Sequence, residues 1–194
     1  MSVGVRRVGV FGSMFNPPHL GHLILSQEAA WQLHLDRVVW VPTGTPPHRP
    51  APFEPPETRL RLALAAAALE PAVSVSRVEI DRPGPSYMSD TLRALAGRYP
   101  ANELVLLLGA DQLATLSSWH EAERLPELAR IAVAPRPGIA LAGLENAAVE
   151  TIRMPTIAIA SSEIRARVAR AEPIRHLVPE PVRKLISDER LYRA

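Results

Sequence analysis

The chain has 194 residues, of which 47% are apolar and 22% charged, with a formal net charge of +2. These values are typical of a globular protein with one domain. The charges are interspersed and only 5% of residues are aromatic, so the basic stripe of a nucleic-acid binder is missing. The chain contains no cysteine, which excludes disulfides, thiolate metal ligands and a cysteine nucleophile. No apolar run approaches the ~18 residues of a membrane span, and the one near the start is too short for a signal peptide.

Strand-like and helix-like segments alternate along the chain. Apolar, β-branched or alternating runs predict strands at residues 5–11, 37–42, 73–80, 103–108, 128–134 and 156–160. Helical periodicity predicts helices at residues 19–33, 58–70, 89–99, 162–171 and 179–187. This alternation predicts an α/β fold, a doubly wound parallel sheet with helices on both faces. We expect one cytoplasmic domain spanning residues 1–194, with a small helical C-terminal part at about 161–194.

Ligands of such sheets bind beyond the carboxyl ends of the strands, where the strand order switches. The first predicted strand leads into Gly12-Ser13-Met14-Phe15-Asn16-Pro17-Pro18-His19-Leu20-Gly21-His22. A helix start offers backbone N–H groups to an anion, and histidines three apart share a helix face. Gly21 is expected to let a bulky ligand approach the backbone. The loop therefore indicates a polyphosphate site, and the alternative is a pair of surface histidines beside a turn.

Other ligands fit this loop less well. Its spacing matches neither the dinucleotide fingerprint of Rossmann folds nor a Walker A loop. Two histidines without a third ligand at helical spacing also make a poor zinc site.

A second polar segment, Ile159-Ala160-Ser161-Ser162-Glu163-Ile164-Arg165, also follows an apolar run and opens a helix. Two hydroxyls at a helix start with Arg165 one turn further predict a phosphate clamp. The alternative is that Ser161 or Ser162 only caps the helix. Arg167 lies one residue off that face, so we expect it to be solvated.

These motifs resemble those of bacterial nicotinate-nucleotide adenylyltransferases, in the nucleotidylyltransferase superfamily. The first resembles the family's G-G-T-F-D-P-x-H-x-G-H loop, and the second resembles its I-S-S-T-x-I-R motif. Further segments resemble other motifs of the family. Between the two motifs, Thr45-Pro46-Pro47-His48-Arg49 resembles T-P-P-H-K/R, and Ser86-Tyr87-Met88-Ser89-Asp90-Thr91-Leu92 resembles S-Y-T-x-D-T-L. Gly109-Ala110-Asp111 with Trp119-His120 resembles G-x-D followed by W-Y or W-H, and Arg136-Pro137-Gly138 resembles R-P-G. In the C-terminal part, Leu177-Val178-Pro179 and Val182 resemble L-V-P-x-x-V, and Leu191-Tyr192 resembles L-Y. The resemblance covers nearly the whole chain and implies the superfamily's Rossmann-like fold.

The resemblance also implies an activity, the transfer of the adenylyl group of ATP to nicotinate mononucleotide in NAD biosynthesis, with Mg²⁺ held by phosphate oxygens and water. The catalytic residues would be His19, His22 and Arg165. The ATP-binding residues would be Gly12, Ser13, Met14, Phe15, His19, Gly21, His22, Gly109, Asp111, Ser161, Ser162 and Arg165. The mononucleotide-binding residues would be Asn16, His48, Arg49, Tyr87, Met88, Asp111, Trp119, His120 and Arg136.

The chain departs from the family pattern at a few of these positions. Ser13, Met14 and Asn16 replace Gly, Thr and Asp, and Met88 stands where Thr is usual. Because Met14 has no hydroxyl, we expect the loop to act through its backbone and the two histidines.

Several alternatives stay open. The acceptor could be nicotinamide mononucleotide or phosphopantetheine, or the chain could be a nucleotide-binding regulatory module without turnover. Neither nucleic acid nor membrane is an expected partner, and a homo-oligomer is left open. Trp31 and Trp40 are expected in the core, and the helix at 58–70 offers no polar candidate for a site. The proline-rich segment at 43–57 is either a functional or a disordered loop.

Overall fold

Six parallel strands form one sheet in a computed structural model that describes residues 6–47, 54–135 and 148–193. The strands are β1 Arg6–Ser13, β2 Arg37–Pro42, β3 Val73–Val75, β4 Asn102–Gly109, β5 Arg130–Ala134 and β6 Val149–Thr151. Their order across the sheet is β3-β2-β1-β4-β5-β6, and every neighbouring pair is parallel. The chain therefore builds outward from β1 on one side and then crosses to β4 on the other, which creates a switch point between β1 and β4.

Helices cover both faces of this sheet. They are α1 Leu20–Gln32, α2 Pro56–Ala67, α3 Met88–Arg98, α4 Ala110–Leu113, α5 Leu125–Leu128, α6 Ser161–Ala169 and α7 Glu180–Asp188. Alternate residues of a strand point to opposite faces. Thus Val38 and Trp40 of β2 pack with α1, α2, α6 and α7, whereas Val39 and Val41 pack with α3, α4 and α5. This arrangement confirms the predicted doubly wound α/β fold. None of the helices in the described segments is long and apolar enough to cross a membrane.

Two strand predictions were wrong at the sheet edges. Only Val73–Val75 of the predicted strand at 73–80 pairs with β2, because the chain turns away after Ser76. The predicted strand at 156–160 pairs with no strand of the described segments, and Val149–Thr151 occupies the outer edge of β5 instead. An apolar run predicts burial, but the segment becomes a strand only if the edge of a neighbouring strand is free to pair with it.

One core prediction was also wrong. Trp40 is fully buried, but Trp31 is 75% exposed. The buried stripe of α1 runs through His22, Leu25 and Ala29, at helical spacing. Trp31 lies two residues past Ala29, about half a turn away, and therefore faces outward.

Candidate active site

The candidate site lies where β1 and β4 end, on either side of the switch point. Gly12 is at the end of β1, and Gly109 ends β4. Gln112 of α4 joins the two ends. Its Oε1 accepts the Gly109 N–H at 3.1 Å, and its Nε2 donates to the Gly12 carbonyl at 3.4 Å. The sequence patterns did not indicate Gln112, since its bonds join segments about a hundred residues apart.

The His22 ring is oriented by its own loop. The backbone N–H of His19 donates to His22 Nδ1 at 3.0 Å. A ring nitrogen that accepts a hydrogen bond carries no proton, so a neutral His22 has its proton on Nε2. Nε2 lies 3.3 Å from Ser13 Oγ, at the end of β1. The geometry therefore assigns His22 the role of a neutral hydrogen-bond donor at the carboxyl edge of the sheet.

An aromatic cluster and a serine hold this imidazole in place. The ring centroids of Phe11, Phe15 and Trp40 lie 5.7, 5.0 and 6.0 Å from that of His22. The Trp40 indole N–H donates to Ser26 Oγ at 2.7 Å, and Ser26 Oγ donates to the His22 carbonyl at 2.9 Å. His22 is thus fixed through both its ring and its backbone.

His19 takes a different position from the one its spacing suggested. It precedes α1 as the N-cap residue, and its ring centroid lies 3.9 Å from that of His22. A Cβ atom on residue 21 would come within 3.0 Å of the His19 Cε1 and Nδ1 atoms. A side chain at position 21 would therefore press against the His19 ring and displace it by a few tenths of an ångström, a constraint that adds to the ligand access expected from the sequence.

Phe15 can reach a ligand only through its backbone. Its side chain is fully buried and stacks on Trp40 with a centroid distance of 4.6 Å. Its φ of +47° lies in the left-handed region, which a non-glycine residue occupies at an energetic cost. Such strain is often found at functional sites, and here it gives the loop its sharp turn.

The C-terminal part of the chain contacts the loop at residues 12–22 through Asn16. Arg165 Nη1 donates to the Asn16 carbonyl at 2.8 Å. The Tyr192 hydroxyl donates to Asn16 Oδ1 at 2.7 Å. Burial raises the pKa of Tyr192 well above its usual range, so this phenol remains a donor. Asn16 is itself buried, and its side chain is engaged inside the protein.

The two serines of the second motif are placed differently from one another. Ser161 begins α6, and its Oγ donates to the Pro17 carbonyl at 2.8 Å. Because that hydroxyl proton is used, Ser161 could contact a phosphate through its backbone N–H. Ser162 is exposed at the helix start, where its hydroxyl faces solvent.

The predicted mononucleotide residues do not form one group: Asn16 lies in the loop after β1, whereas Tyr87, Met88, Asp111, Trp119 and His120 lie in or near α3 and α4. Tyr87 stacks on His120 with a centroid distance of 4.2 Å. The Met88 methyl lies directly over Gly12, since a Cβ there would approach it to 2.5 Å. Asp111 is exposed on α4. Trp119 is partly buried against the core formed with α3. His48, Arg49 and Arg136 lie outside the described residues.

Arg59 corrects the expectation that α2 offers no polar residue to the site. It is 0% exposed, although it is an arginine. Its Nη1 donates to the Met14 carbonyl at 3.1 Å and its Nη2 to the Gly44 carbonyl at 3.1 Å. Its position on the apolar stripe of α2, with Ala63 and Ala66, was the sequence signal that could have identified it.

A buried polar network fixes the segment that follows β2. The N–H groups of Gly44 and Thr45 both donate to Ser86 Oγ at 3.1 Å. A Cβ on Gly44 would approach the Glu79 carbonyl oxygen to 2.2 Å, so only glycine fits. The Thr91 hydroxyl donates to the carboxylate of buried Glu79 at 2.7 Å.

Glu79 predicts a pH dependence of stability. Burial raises its pKa above the usual 4.5, although bonds from Thr91 and Ser86 and the charge of Arg82 oppose the shift. A carboxyl with a raised pKa in the fold contributes stability at low pH that is lost as pH rises through that pKa. We expect the melting temperature of wild type to fall relative to that of Glu79→Gln between pH 4.5 and pH 8, measured by calorimetry.

The control for this experiment is Glu123→Gln, an exposed carboxylate on the surface. Its difference from wild type should stay constant with pH. A Glu79→Gln difference that is equally flat would contradict the assignment.

The donors of the site suit phosphate better than a metal ion. Across the described residues, no three His, Cys, Asp or Glu side chains are grouped closely enough to hold a metal. The site instead offers imidazole, hydroxyl, backbone N–H and guanidinium groups. Such groups bind phosphate oxygens.

The two histidines and Arg165 meet at the loop that follows β1, and comparisons with known proteins show that the chain is a nucleotidyltransferase. The profile of the Cytidylyltransferase-like family matches residues 10–167. A structure titled Plasmodium falciparum nicotinic acid mononucleotide adenylyltransferase complexed with NaAD superposes with a TM-score of 0.79. It is 14% identical and covers 96% of this chain and 97% of its own; at that identity the likeness shows the fold.

Relatives of higher sequence identity indicate the subfamily to which the chain belongs. A protein of Exiguobacterium sibiricum named probable nicotinate-nucleotide adenylyltransferase is 41% identical over 96% of this chain and 98% of its own length. A protein of the same name from Thermus thermophilus is 42% identical over 96% of this chain and 100% of its own length. The chain therefore belongs to the Cytidylyltransferase-like family and, within it, to the nicotinate-nucleotide adenylyltransferases, which confirms the resemblance found in its motifs.

Proposed function

We propose that the chain transfers the adenylyl group of ATP to nicotinate mononucleotide in the cytoplasm, forming nicotinate adenine dinucleotide and pyrophosphate for NAD biosynthesis. The observation that carries the proposal is the His22 imidazole. Its Nδ1 is occupied by the His19 N–H, so its Nε2–H points to the end of β1. The names of the relatives indicate that nicotinate mononucleotide is the acceptor. Arg165 adds a positive charge beside the same loop, where it is hydrogen-bonded to Asn16.

The reaction needs no covalent enzyme intermediate. A phosphate oxygen of the mononucleotide attacks the α-phosphorus of ATP, and the bond from that phosphorus to the bridging oxygen of pyrophosphate breaks. The chain positions the two substrates and stabilises the charge that develops. His22 Nε2–H would donate to an α-phosphate oxygen. Arg165 would neutralise charge on the leaving pyrophosphate, and His19 would donate to the same phosphates.

Mg²⁺ would arrive with ATP and be bound by phosphate oxygens and water. It would neutralise negative charge on the polyphosphate. The residues of the site fit this arrangement because imidazole, guanidinium and backbone N–H groups are donors that would bind phosphate oxygens. Exposed Asp111 is the one predicted site carboxylate, and by resemblance it binds nucleotide.

The acceptor would bind on the α3 and α4 side of the switch point. Tyr87 and His120 form a stacked aromatic pair there, and Met88 covers Gly12. The partly buried Trp119 would present its remaining exposed face to the pyridine ring. These assignments follow from the resemblance, together with the position of these residues beside β1.

The proposal is tested by pyrophosphate release in the presence of Mg²⁺ and ATP with three separate acceptors. We expect the highest kcat/KM with nicotinate mononucleotide, above both its amide and phosphopantetheine. Highest turnover with phosphopantetheine would assign the chain to the sister enzyme. No release with any acceptor, despite ATP binding, would leave a nucleotide-binding regulatory module.

A further inference from the structure

We propose that Arg59 is a positioning residue. It holds the loop at residues 12–22, here called the ATP loop, in a fixed position relative to the acceptor side of the site. The inference rests on the proposed adenylyl transfer. Arg59 cannot touch a substrate, because it is 0% exposed. It acts through the backbone segments to which it is hydrogen-bonded.

The hydrogen bonds of Arg59 reach three separate segments. Nη1 binds the carbonyl of Met14, between Ser13 and Phe15 in the ATP loop. Nη2 binds the carbonyl of Gly44, in the segment after β2. Nε binds the carbonyl of Glu54, just before α2, at 3.2 Å. One rigid planar group therefore joins the loop after β1 to the segment after β2, beyond the last backbone bond between them, from Thr43 N–H to the Ser13 carbonyl.

The connection continues from Gly44 to the acceptor side. Ser86 Oγ accepts the N–H groups of Gly44 and Thr45, and the Ser86 N–H donates to the Thr45 carbonyl at 2.8 Å. Ser86 directly precedes Tyr87, which begins the predicted acceptor pocket. A continuous set of bonds thus runs from Met14 through Arg59 and Ser86 to that pocket.

A buried arginine bonded to carbonyls is a costly way to fill a core position. Desolvation of the guanidinium lowers the pKa of Arg59, and its guanidinium donates to the neutral carbonyls of Glu54, Met14 and Gly44. Apolar side chains of similar volume often replace buried charges without loss of stability. The arginine therefore fixes the relative positions of the carbonyls that it binds, which an apolar residue cannot do, since its five N–H donors lie in one fixed plane.

In-line transfer is sensitive to this geometry. Both reactants must be held in a near-attack arrangement, and a misplacement of about 1 Å can cost about 10²-fold in rate. If Arg59 only stabilised the fold, its loss would reduce the folded fraction but not the rate per folded molecule. If it positions the loops, the rate per folded molecule falls while each substrate still binds.

The test compares Arg59→Lys with wild type. Lysine keeps the charge but cannot span the carbonyls of Met14 and Gly44 together. We expect a single-turnover rate about 30- to 100-fold lower, with the Kd of ATP alone and of nicotinate mononucleotide alone within about threefold of wild type. Circular dichroism and calorimetric binding give the folded fraction and the affinities.

Ser86→Ala removes the next bond in the series and serves as the second variant, with an expected loss of about tenfold. The matched control is Arg61→Lys, an exposed arginine on the same helix that pairs with Glu189, and its rate should be unchanged.

Rates within threefold of wild type in both Arg59→Lys and Ser86→Ala would overturn the proposal, as would a loss confined to the affinity for one substrate. If Arg59→Lys does not fold, the Ser86→Ala rate alone decides. An inactive wild type would overturn the proposed function and this inference with it, whereas an active wild type with unaffected variants would overturn this inference only.

Discussion

Replacing His22 by alanine or asparagine is expected to lower kcat by about 10²- to 10³-fold, the usual cost of one lost transition-state donor. The Nε2–H of His22 lies at the end of β1, 3.3 Å from Ser13 Oγ. Neither replacement carries a donor that reaches the Nε2 position.

A pair of amide replacements separates the two ring nitrogens. Asparagine places an acceptor near the Nδ1 position, where it can still bind the His19 N–H. Glutamine is longer and places an amide N–H near the Nε2 position instead. If Nε2–H is the catalytic donor, His22→Gln retains more activity than His22→Asn. The opposite order would mean that orientation of the His19 backbone dominates.

Stability must be measured alongside the rate, because the His22 ring packs among Phe11, Phe15 and Trp40. His22→Ala leaves a small cavity there, and cavities lower the free energy of unfolding. Thermal melts give the folded fraction by which kcat is normalised. His176→Ala is the matched control, since His176 is exposed and has no assigned role. A normalised His22→Ala rate near that of wild type would refute the mechanism.

The centre of the fold could be predicted from the sequence, but its edges could not. Strands β1, β2 and β4 are apolar runs buried on both faces, so the pattern alone identifies them. The run at 156–160 is equally apolar, yet the shorter and more polar β6 took the place beside β5. Edge pairing depends on which segment reaches the neighbouring strand, and local composition does not encode that.

The same distinction applies to the candidate site. The sequence predicts His19, His22 and Arg165 as site residues because each motif follows an apolar run and opens a helix, and the structure brings both motifs to the loop after β1. The Tyr192 hydroxyl bond to Asn16 spans 176 residues, and no local pattern predicts such a contact. The sequence does not indicate Arg59 as a site residue, because a helix rich in alanine and leucine suggests only packing. Its significance depends on the carbonyls of Met14 and Gly44, which other segments supply.

Arg165→Met is expected to lower kcat/KM by at least about 10²-fold, because one side chain has two roles. Its guanidinium would pair with phosphate charge that grows as pyrophosphate leaves. Its Nη1 also donates to the Asn16 carbonyl at 2.8 Å, and this bond joins α6 to the ATP loop. Methionine preserves much of the side-chain volume but supplies neither the charge nor the hydrogen bond.

Arg165→Lys separates these two contributions. Lysine keeps the charge but lacks the planar fork, so we expect an intermediate loss of kcat/KM. The matched control is Arg167→Met on the same helix. Arg167 pairs with Glu163 at 3.2 Å on the surface, and exposed pairs of this kind contribute little. Arg167→Met should therefore keep near wild-type kcat/KM. Equal losses in Arg165→Met and Arg167→Met would show that α6 needs its positive charge as a whole, and the specific role of Arg165 would then be refuted.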